Sequence, residues 1–526
     1  MATLQQLFFI CALTFGITVN AQKYSPDWES LAEYSTPEWF KDAKLGMWAH
    51  WGFQSDPQAG NWYTRNMYFQ DLWQYQFHVE HYGSPKDYGV KELLRDWKAE
   101  NWNPEELVRL YKSVGAKYFF TLGNFHDNVD LWDSKYQEWN CVNLGPKRDV
   151  VGTWAKVAKA EGLPFGVSFH AAHAWTYLEG SREFDGLLTQ EDGKGTWWEG
   201  YDPQKLYVQN HPLSRDGDKS GTIYCQWDWN NGADQPSAEF KQNFVDRTLD
   251  AISQYNPDLL YFDDNVFPFY YSDDKPGLEI ASHYYNKMVD SKGNDTGIIL
   301  CKGLNVSQQN CLTWDIERGI PATIQEHYWQ TCTCLGEWFY SKDRYNTGNY
   351  KSAQLVIQML LDIVSKNGNM LLSVPLRGDG TPDDKELAIL NDMKGWLDVN
   401  GDAIFGTRVW KTFGEGPIAD KADASAATSF NESTNYSNKD VRYTQKNGNV
   451  YASIMAWPET SSFTFKAFSI LSATYSGKVK NVELLGYGTV EFSQDINGLT
   501  VQLPKTHPSY IGPAFKITFT DSKTSL

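Results

Sequence analysis

Between about residue 37 and residue 410 the chain repeats one pattern. An amphipathic stretch that reads as a helix is followed by a short, almost uninterrupted apolar run. NPEELVRLYKSVG (103–115) precedes AKYFFTLG (116–123), and TWAKVAKAEGLP (153–164) precedes FGVSFH (165–170). FVDRTLDAISQYNPD (244–258) precedes LLYFDD (259–264), and SAQLVIQMLLDIVSKNG (352–368) precedes NMLLSVP (369–375). A strand that is apolar on both faces must be covered on both faces, and parallel strands wrapped by helices achieve this. A segment of this length with several such units predicts an α/β fold, a (β/α)8-like barrel. In that fold the polar residues just after the strands share one rim. Here they are Asn124 and His126, His170 and His173, and Asp263 and Asp264.

The texture changes after Trp410. Asp420 to Asp440 is rich in Ala, Ser, Thr and Asn, like a linker or loop. Short alternating runs follow at 449–458, 462–468, 479–486, 499–504 and 514–520, separated by Gly and Asn. They predict a small antiparallel β-sandwich. At the other end, Met1 to Ala21 reads as a secretory signal, with an apolar LFFICALTFGITV and a small-residue site at Val19-Asn20-Ala21. The expected division is a signal peptide over 1–21, a barrel domain over 22–412 and a sandwich over 413–526. A secreted or periplasmic location follows from the leader, and no other stretch reads as a membrane span.

The formal net charge of -18 argues against nucleic acid as a partner. Behind the leader lie Cys141, Cys225, Cys301, Cys311, Cys332 and Cys334, too few for a disulfide scaffold. No histidine spacing around them suggests zinc, so they read as structural or free thiols. Asn294, Asn305, Asn431 and Asn435 each begin a glycosylation sequon.

Chemistry is suggested first by an aromatic run, WFKDAKLGMWAHWG followed by GNWYTRNMY (Trp39–Gly52, Gly60–Tyr68). Flat apolar rings with a few fixed polar groups make a sugar pocket, although Trp and Tyr also build ordinary cores. Asp263 and Asp264 end an apolar strand, where a carboxylate is a candidate nucleophile or simply a cap for the next turn. Glu317, in TWDIERGIP, is the candidate second carboxylate; the plainer alternative is an ion pair with Arg318. Glu326 and Glu337 are weaker candidates nearby. There is no HExxH, phosphate loop or GxSxG elbow. His50, His126, His170 and His173 lack ligand spacing, so neither a metal nor a cofactor is expected.

Several long motifs in order resemble glycoside hydrolase family 29, the α-L-fucosidase family. They include WFKDAKLGMWAHWG, RNMY, FHVEHYGSP, HDNVDLWDSKYQEWN, GPKRDVVG, NPDLLYFDD, DIERG, VSKNGNMLLSVPLRGDG and WLDVNGDAIFGTRVW, with NVELLG and GLTVQLP near the C-terminus. The resemblance covers nearly the whole mature chain. It implies a catalytic barrel, a C-terminal sandwich, and exo-acting removal of a terminal α-L-sugar from an oligosaccharide or polysaccharide with retention of configuration. It implies Asp263 as nucleophile and Glu317 as acid/base, with His50, Trp62 and His126 as sugar contacts.

The chain also departs from that pattern. Many members have Glu-Trp-Tyr where Asn61-Trp62-Tyr63 stands, and two histidines where Phe125-His126 stands. Many have Tyr-Tyr-Ser where Ser168-Phe169-His170 stands, followed here by His173, and Lys302 falls where an Arg is often found. Three such changes in a hydroxyl-binding pocket should not all be neutral, because an unpaired buried partner typically costs about 1–3 kcal/mol. His170, His173 and Lys302 are available to a polar C6 substituent, so two glycons stay open. One is L-fucose; the other is L-galactose, with or without a 6-sulfate, as found in red algal galactans. A barrel that has lost catalysis and only holds sugar, and an endo-acting glycanase, are the competing classes.

Overall fold

The computed structural model describes residues 22–215, 224–426, 428–432, 434–475 and 477–520. The expected signal peptide and the Cys225 side chain lie outside the described residues. Eight parallel strands close into a barrel in sequence order. They are β1 (Leu45–Ala49), β2 (Tyr118–Asn124), β3 (Phe165–Phe169), β4 (Leu259–Asn265), β5 (Ile298–Lys302), β6 (Thr313–Glu317), β7 (Trp329–Cys334) and β8 (Gly368–Ser373). β1, β2, β3, β7 and β8 are buried along their whole length, because the barrel fills one face and helices cover the other.

The helices begin where the sequence supplies caps. Asn103 accepts from Glu106 N at the start of Pro104–Val114, and Ser352 accepts from Leu355 N at the start of Ala353–Ser365. Asp383 and Glu386 form a reciprocal capping box that starts Asp384–Asn400. Inside the barrel, large rings need small neighbours. A Cβ on Gly46 of β1 would lie 2.1 Å from the Tyr118 ring, so glycine there makes room for that tyrosine.

The C-terminal region forms two antiparallel sheets that share a core. One has six strands in the order β14-β13-β17-β11-β10-β9. These are β9 (Arg408–Glu415), β10 (Val441–Lys446), β11 (Asn449–Ile454), β13 (Val479–Leu484), β14 (Gly488–Thr489) and β17 (Ala514–Phe519). The other sheet orders β12 (Ser462–Phe465), β16 (Leu499–Gln502) and β15 (Phe492–Gln494). Phe465 of the small sheet meets Phe515 of the large one edge to face at 5.5 Å. Five of these nine strands fall on the alternating runs; β9 and β10, which precede the runs, and the short β14 and β15 do not.

The sandwich packs against the barrel helix Ala353–Ser365. Asp362 of that helix is buried against Arg442 of β10 and also meets Lys366 Nζ at 3.0 Å and Tyr436 Oη at 2.9 Å. Burial opposes ionisation of Asp362, yet the two cations lower its pKa from 3.8 to about 2. No described helix is long and apolar enough to cross a membrane. Asp362→Ala leaves two buried cations unpaired and should cost about 3–5 kcal/mol, read as a lower urea midpoint. The folded-state pKa is depressed, so this stabilisation is present above about pH 4 and fades as pH falls through about 2. The difference between wild type and the alanine variant should shrink over that window.

Candidate active site

Side chains alternate along a strand, so every second residue near a strand end points into the barrel mouth. Trp48 and His50 follow that rule at the end of β1, Tyr261 and Asp263 on β4, and Asp315 and Glu317 on β6. All six line one cavity of about 460 Å³ at the C-terminal ends of the strands. Asn61, Trp62, His126, His170, Trp227, Asp264, Lys302 and Trp338 complete much of its wall. The β4–β5 register slips between Tyr261 and Asn265, and such irregularities re-aim side chains next to functional sites.

One ammonium group organises the carboxylates. Lys302 Nζ donates to Asp263 Oδ1 and, at 2.5 Å, to Glu317 Oε2. Trp338 Nε1 donates to the other Glu317 oxygen at 3.2 Å. Burial alone would raise the Asp263 pKa, but Lys302 and His170 outweigh it and hold the carboxyl well below the usual range. Burial likewise disfavours the Lys302 cation, and the two carboxylates more than restore it. Arg318 turns away from Glu317 to pair with Glu432 at 2.9 Å, so the adjacent-residue ion pair is not formed.

The histidines divide the remaining work. His170 Nδ1 lies 3.0 Å from Asp263 Oδ2 and donates to it while its Nε2 faces Ser168 Oγ at 3.2 Å. His126 Nδ1 must donate to the His170 carbonyl at 2.7 Å, because a carbonyl only accepts. Burial lowers the His126 pKa to about 4, so near neutral pH its Nε2 carries a lone pair into the cavity, 3.3 Å from Asp263. His50 is likewise held neutral by burial. Donor atoms of His126, His170 and Asp263 fall within 4.8 Å of one another. Two of these three groups are already committed to each other by hydrogen bonds, which is the arrangement of an oriented carboxylate.

Five buried polar atoms of cavity-lining residues have no hydrogen-bond partner among the described residues: Trp48 Nε1, His50 Nδ1, Asn61 Oδ1, Asp264 Oδ2 and Asp315 Oδ1. Each typically costs about 1–3 kcal/mol unmet, so their concentration on one cavity points to a ligand rich in hydroxyls. Burial pushes the Asp315 carboxyl up to about 7, where it can still donate. Aromatic faces supply the apolar half of the cavity. Trp62 stacks on Trp227 at 5.5 Å and stands in left-handed backbone at φ 63°, a strain more often kept at functional sites than elsewhere.

Two residues singled out in the sequence stand behind the wall rather than in it. Asn124 donates to Asp130 at 3.0 Å and accepts from His170 N, also at 3.0 Å, so it positions the histidine loop. His173 pairs with Asp264 at 2.9 Å and is sandwiched between Trp227 and Trp229, with ring centroids at 3.7 and 5.0 Å. Glu337 pairs with Arg344 at 2.9 Å, and Glu326 lines a different cavity beside Tyr328. Trp48, Tyr261, Trp227, Asp315 and Trp338 were not selected as site residues from sequence. For Trp48 and Asp315 the signal was available, as period-two neighbours of His50 and Glu317.

The described cysteines Cys141, Cys301, Cys311, Cys332 and Cys334 are free and buried, as expected for structural thiols.

Residues 11–402 match the family model for alpha-L-fucosidase, and residues 434–518 match that for the alpha-L-fucosidase C-terminal domain. The chain is 25% identical to the tissue alpha-L-fucosidase of Mus musculus over 533 residues, covering 97% of each. It is 25% identical to the alpha-L-fucosidase of Branchiostoma floridae, covering 92% of each. Among solved structures it resembles Thermotoga maritima alpha-fucosidase in complex with fucose, with a TM-score of 0.69 at 24% identity, covering 94% of this chain and all of that one. It also resembles a trapped covalent intermediate of an alpha-L-fucosidase from Bacteroides thetaiotaomicron, with a TM-score of 0.61 at 16% identity, covering 93% of this chain and 97% of that one.

Lys302→Met removes the charge that both carboxylates share. The Asp263 carboxyl should then titrate at higher pH than in the wild type. Carbon-13 NMR of labelled aspartate side chains reads that shift, and an unmoved Asp263 resonance would show that His170 alone suffices.

Proposed function

The chain belongs to the alpha-L-fucosidase family of glycoside hydrolases, and we propose that it is a retaining exo-enzyme in which Asp263 and Glu317 carry the two steps. The observation that supports this most is the shared contact to Lys302. Two oxygens that hydrogen-bond one nitrogen lie within about 5 Å of each other, close to the spacing of about 5–5.5 Å used by retaining rather than inverting enzymes. Asp263, held ionised by Lys302 and His170, would attack the anomeric carbon and form a covalent glycosyl-enzyme. Glu317 would protonate the departing glycosidic oxygen and then take a proton from the attacking water. The trapped covalent intermediate of the Bacteroides thetaiotaomicron relative is consistent with this route.

The cavity suits one terminal sugar. Its volume of about 460 Å³ ends on the barrel interior, so a chain end enters rather than a chain middle. His50, Asn61 and Trp48 would meet ring hydroxyls with their unpartnered atoms, and His126 Nε2 would accept from one. Trp62 would cover an apolar face of the sugar. Terminal α-L-fucose is the glycon this supports best. α-L-Galactose is a second reading, favoured by the polar His170 and Lys302 on the wall and by unpartnered Asp264 and Asp315 oxygens that one more hydroxyl could meet. Action outside the cytoplasm rests on the apolar leader alone.

Aryl α-L-fucoside and α-L-galactoside, compared side by side with products identified, decide the glycon. Glu317→Ala should lower kcat by about 10²–10⁴-fold. Added azide should restore turnover and yield the α-glycosyl azide, because azide attacks the glycosyl-enzyme from the face the leaving group vacated. Asp263→Gly rescued by azide should yield the β-azide instead. Wild-type glycan binding without turnover would favour the sugar-holding alternative, and activity that survives both substitutions would remove these two residues from the mechanism.

A further inference from the structure

A segment of the connection between β9 and β10 of the sandwich forms one wall of the active-site cavity. Phe430 N donates to the Glu317 carbonyl at 3.2 Å, and Asn431 N donates to the Arg318 carbonyl at 3.1 Å. Asn431 also grips Ile320, accepting from its N–H at 2.8 Å and donating to its carbonyl at 3.0 Å. Glu432 accepts from Arg318 at 2.9 Å, from Lys351 at 3.1 Å, and from Thr333 Oγ1. Residues 430–432 thus run as a strap along the end of β6, the strand that carries Glu317. Gly319 is its seat, since a Cβ there would lie 1.9 Å from the Thr428 carbonyl oxygen.

Phe430 is an unusual residue to find at that place. Its backbone is left-handed, with φ at 54°, and the residue is 67% exposed. A bulky side chain in that conformation is strained, and an exposed ring gains little from burial, so neither property helps the fold. The ring lines the active-site cavity and also a second cavity of about 470 Å³ bounded by Arg318, Arg344, Tyr350, Lys351 and Glu432. It is the wall the two spaces share. The cations of the second cavity are already paired, Arg318 and Lys351 with Glu432 and Arg344 with Glu337.

We propose that Phe430 is the stacking platform for the leaving group, and that the second cavity receives the next sugar of the substrate. This rests on Glu317 being the acid. The glycosidic oxygen must then face Glu317, and whatever leaves with that oxygen lies over the strap bonded to Glu317's own backbone. A neutral pyranose fits this place. Its C–H face lies on an aromatic ring, and its hydroxyls meet charged groups whose partners leave little net charge.

Two substrates separate the platform from the catalytic site. α-L-Fucosyl fluoride has a single-atom leaving group that cannot reach Phe430, whereas 4-nitrophenyl α-L-fucoside carries a ring. Phe430→Gly removes the side chain and suits the left-handed backbone, so the strap keeps its path. The ratio of kcat/KM for the aryl fucoside to that for the fluoride should fall about tenfold, the loss of one aromatic stacking contact. Phe430→Tyr should restore the wild-type ratio. An unchanged ratio in the glycine variant overturns the platform, whether both activities stay or fall together. A wild type that hydrolyses neither substrate moves the comparison to the matching α-L-galactosyl pair, and inertness towards both pairs overturns the reading of Asp263 and Glu317 instead.

Discussion

Two carboxylates cannot share a small buried cavity without a counter-charge, and the Lys302 ammonium supplies it. Its contacts to Asp263 and Glu317 tie β4, β5 and β6 together at their C-terminal ends. The cost of burying a lysine is met because two anions face it, and the cost of burying Asp263 is met because Lys302 and His170 face that. Each group is tolerable only in the company of the others. The rim around them is built to hold this set in place. Asn124 fixes the backbone of His170, and His173 locks Asp264 from behind between two tryptophans.

The fold was readable because four of its strands, β2, β3, β4 and β8, obey one rule. LLYF and FFTL must be covered on both sides, and a helix before each of the four does the covering. Closure of the barrel puts residues far apart in sequence onto one rim, and that step cannot be read from spacing. Asp263, at the end of an apolar strand, and Glu317 were candidates from their own segments, and the resemblance assigned their roles; Lys302 was recognised only as a departure from a pattern. Its bridging position becomes visible when β5 lies between β4 and β6. Tryptophans were the hardest to sort. Trp48 and Trp154 are both buried, but only the first lines the cavity, and in sequence Trp48 is set apart only by His50 two residues on.

His173 and Asn124 show the opposite difficulty. Both are polar residues at strand ends, where the barrel rule places active-site groups, and both stand one layer back. Helical structure begins directly after β3, with Ala171–His173, and turns His173 towards Asp264 rather than into the cavity. A linker-like composition concealed the strap in a similar way. Ala, Ser, Thr and Asn mark Asp420 to Asp440 as unlikely to form core, which is correct, yet the docking of residues 430–432 relies on backbone groups that composition does not report.

Asn431 opens an Asn-Glu-Ser sequon, and the strap decides what can happen to it. The side-chain nitrogen that would carry a glycan is the one that donates to Ile320, and its oxygen accepts from the same residue. A sugar on that nitrogen would leave it one N–H and would crowd its pairing with Ile320. Modification at this position and docking of the strap therefore compete for the same nitrogen. In a cell that glycosylates, the order of two events on the nascent chain, closure of the strap or arrival of the transferase, would set the fraction of molecules with a complete site. The exposed sequon at Asn294 carries no such conflict, since its side chain is engaged only with Asp290 across a surface turn.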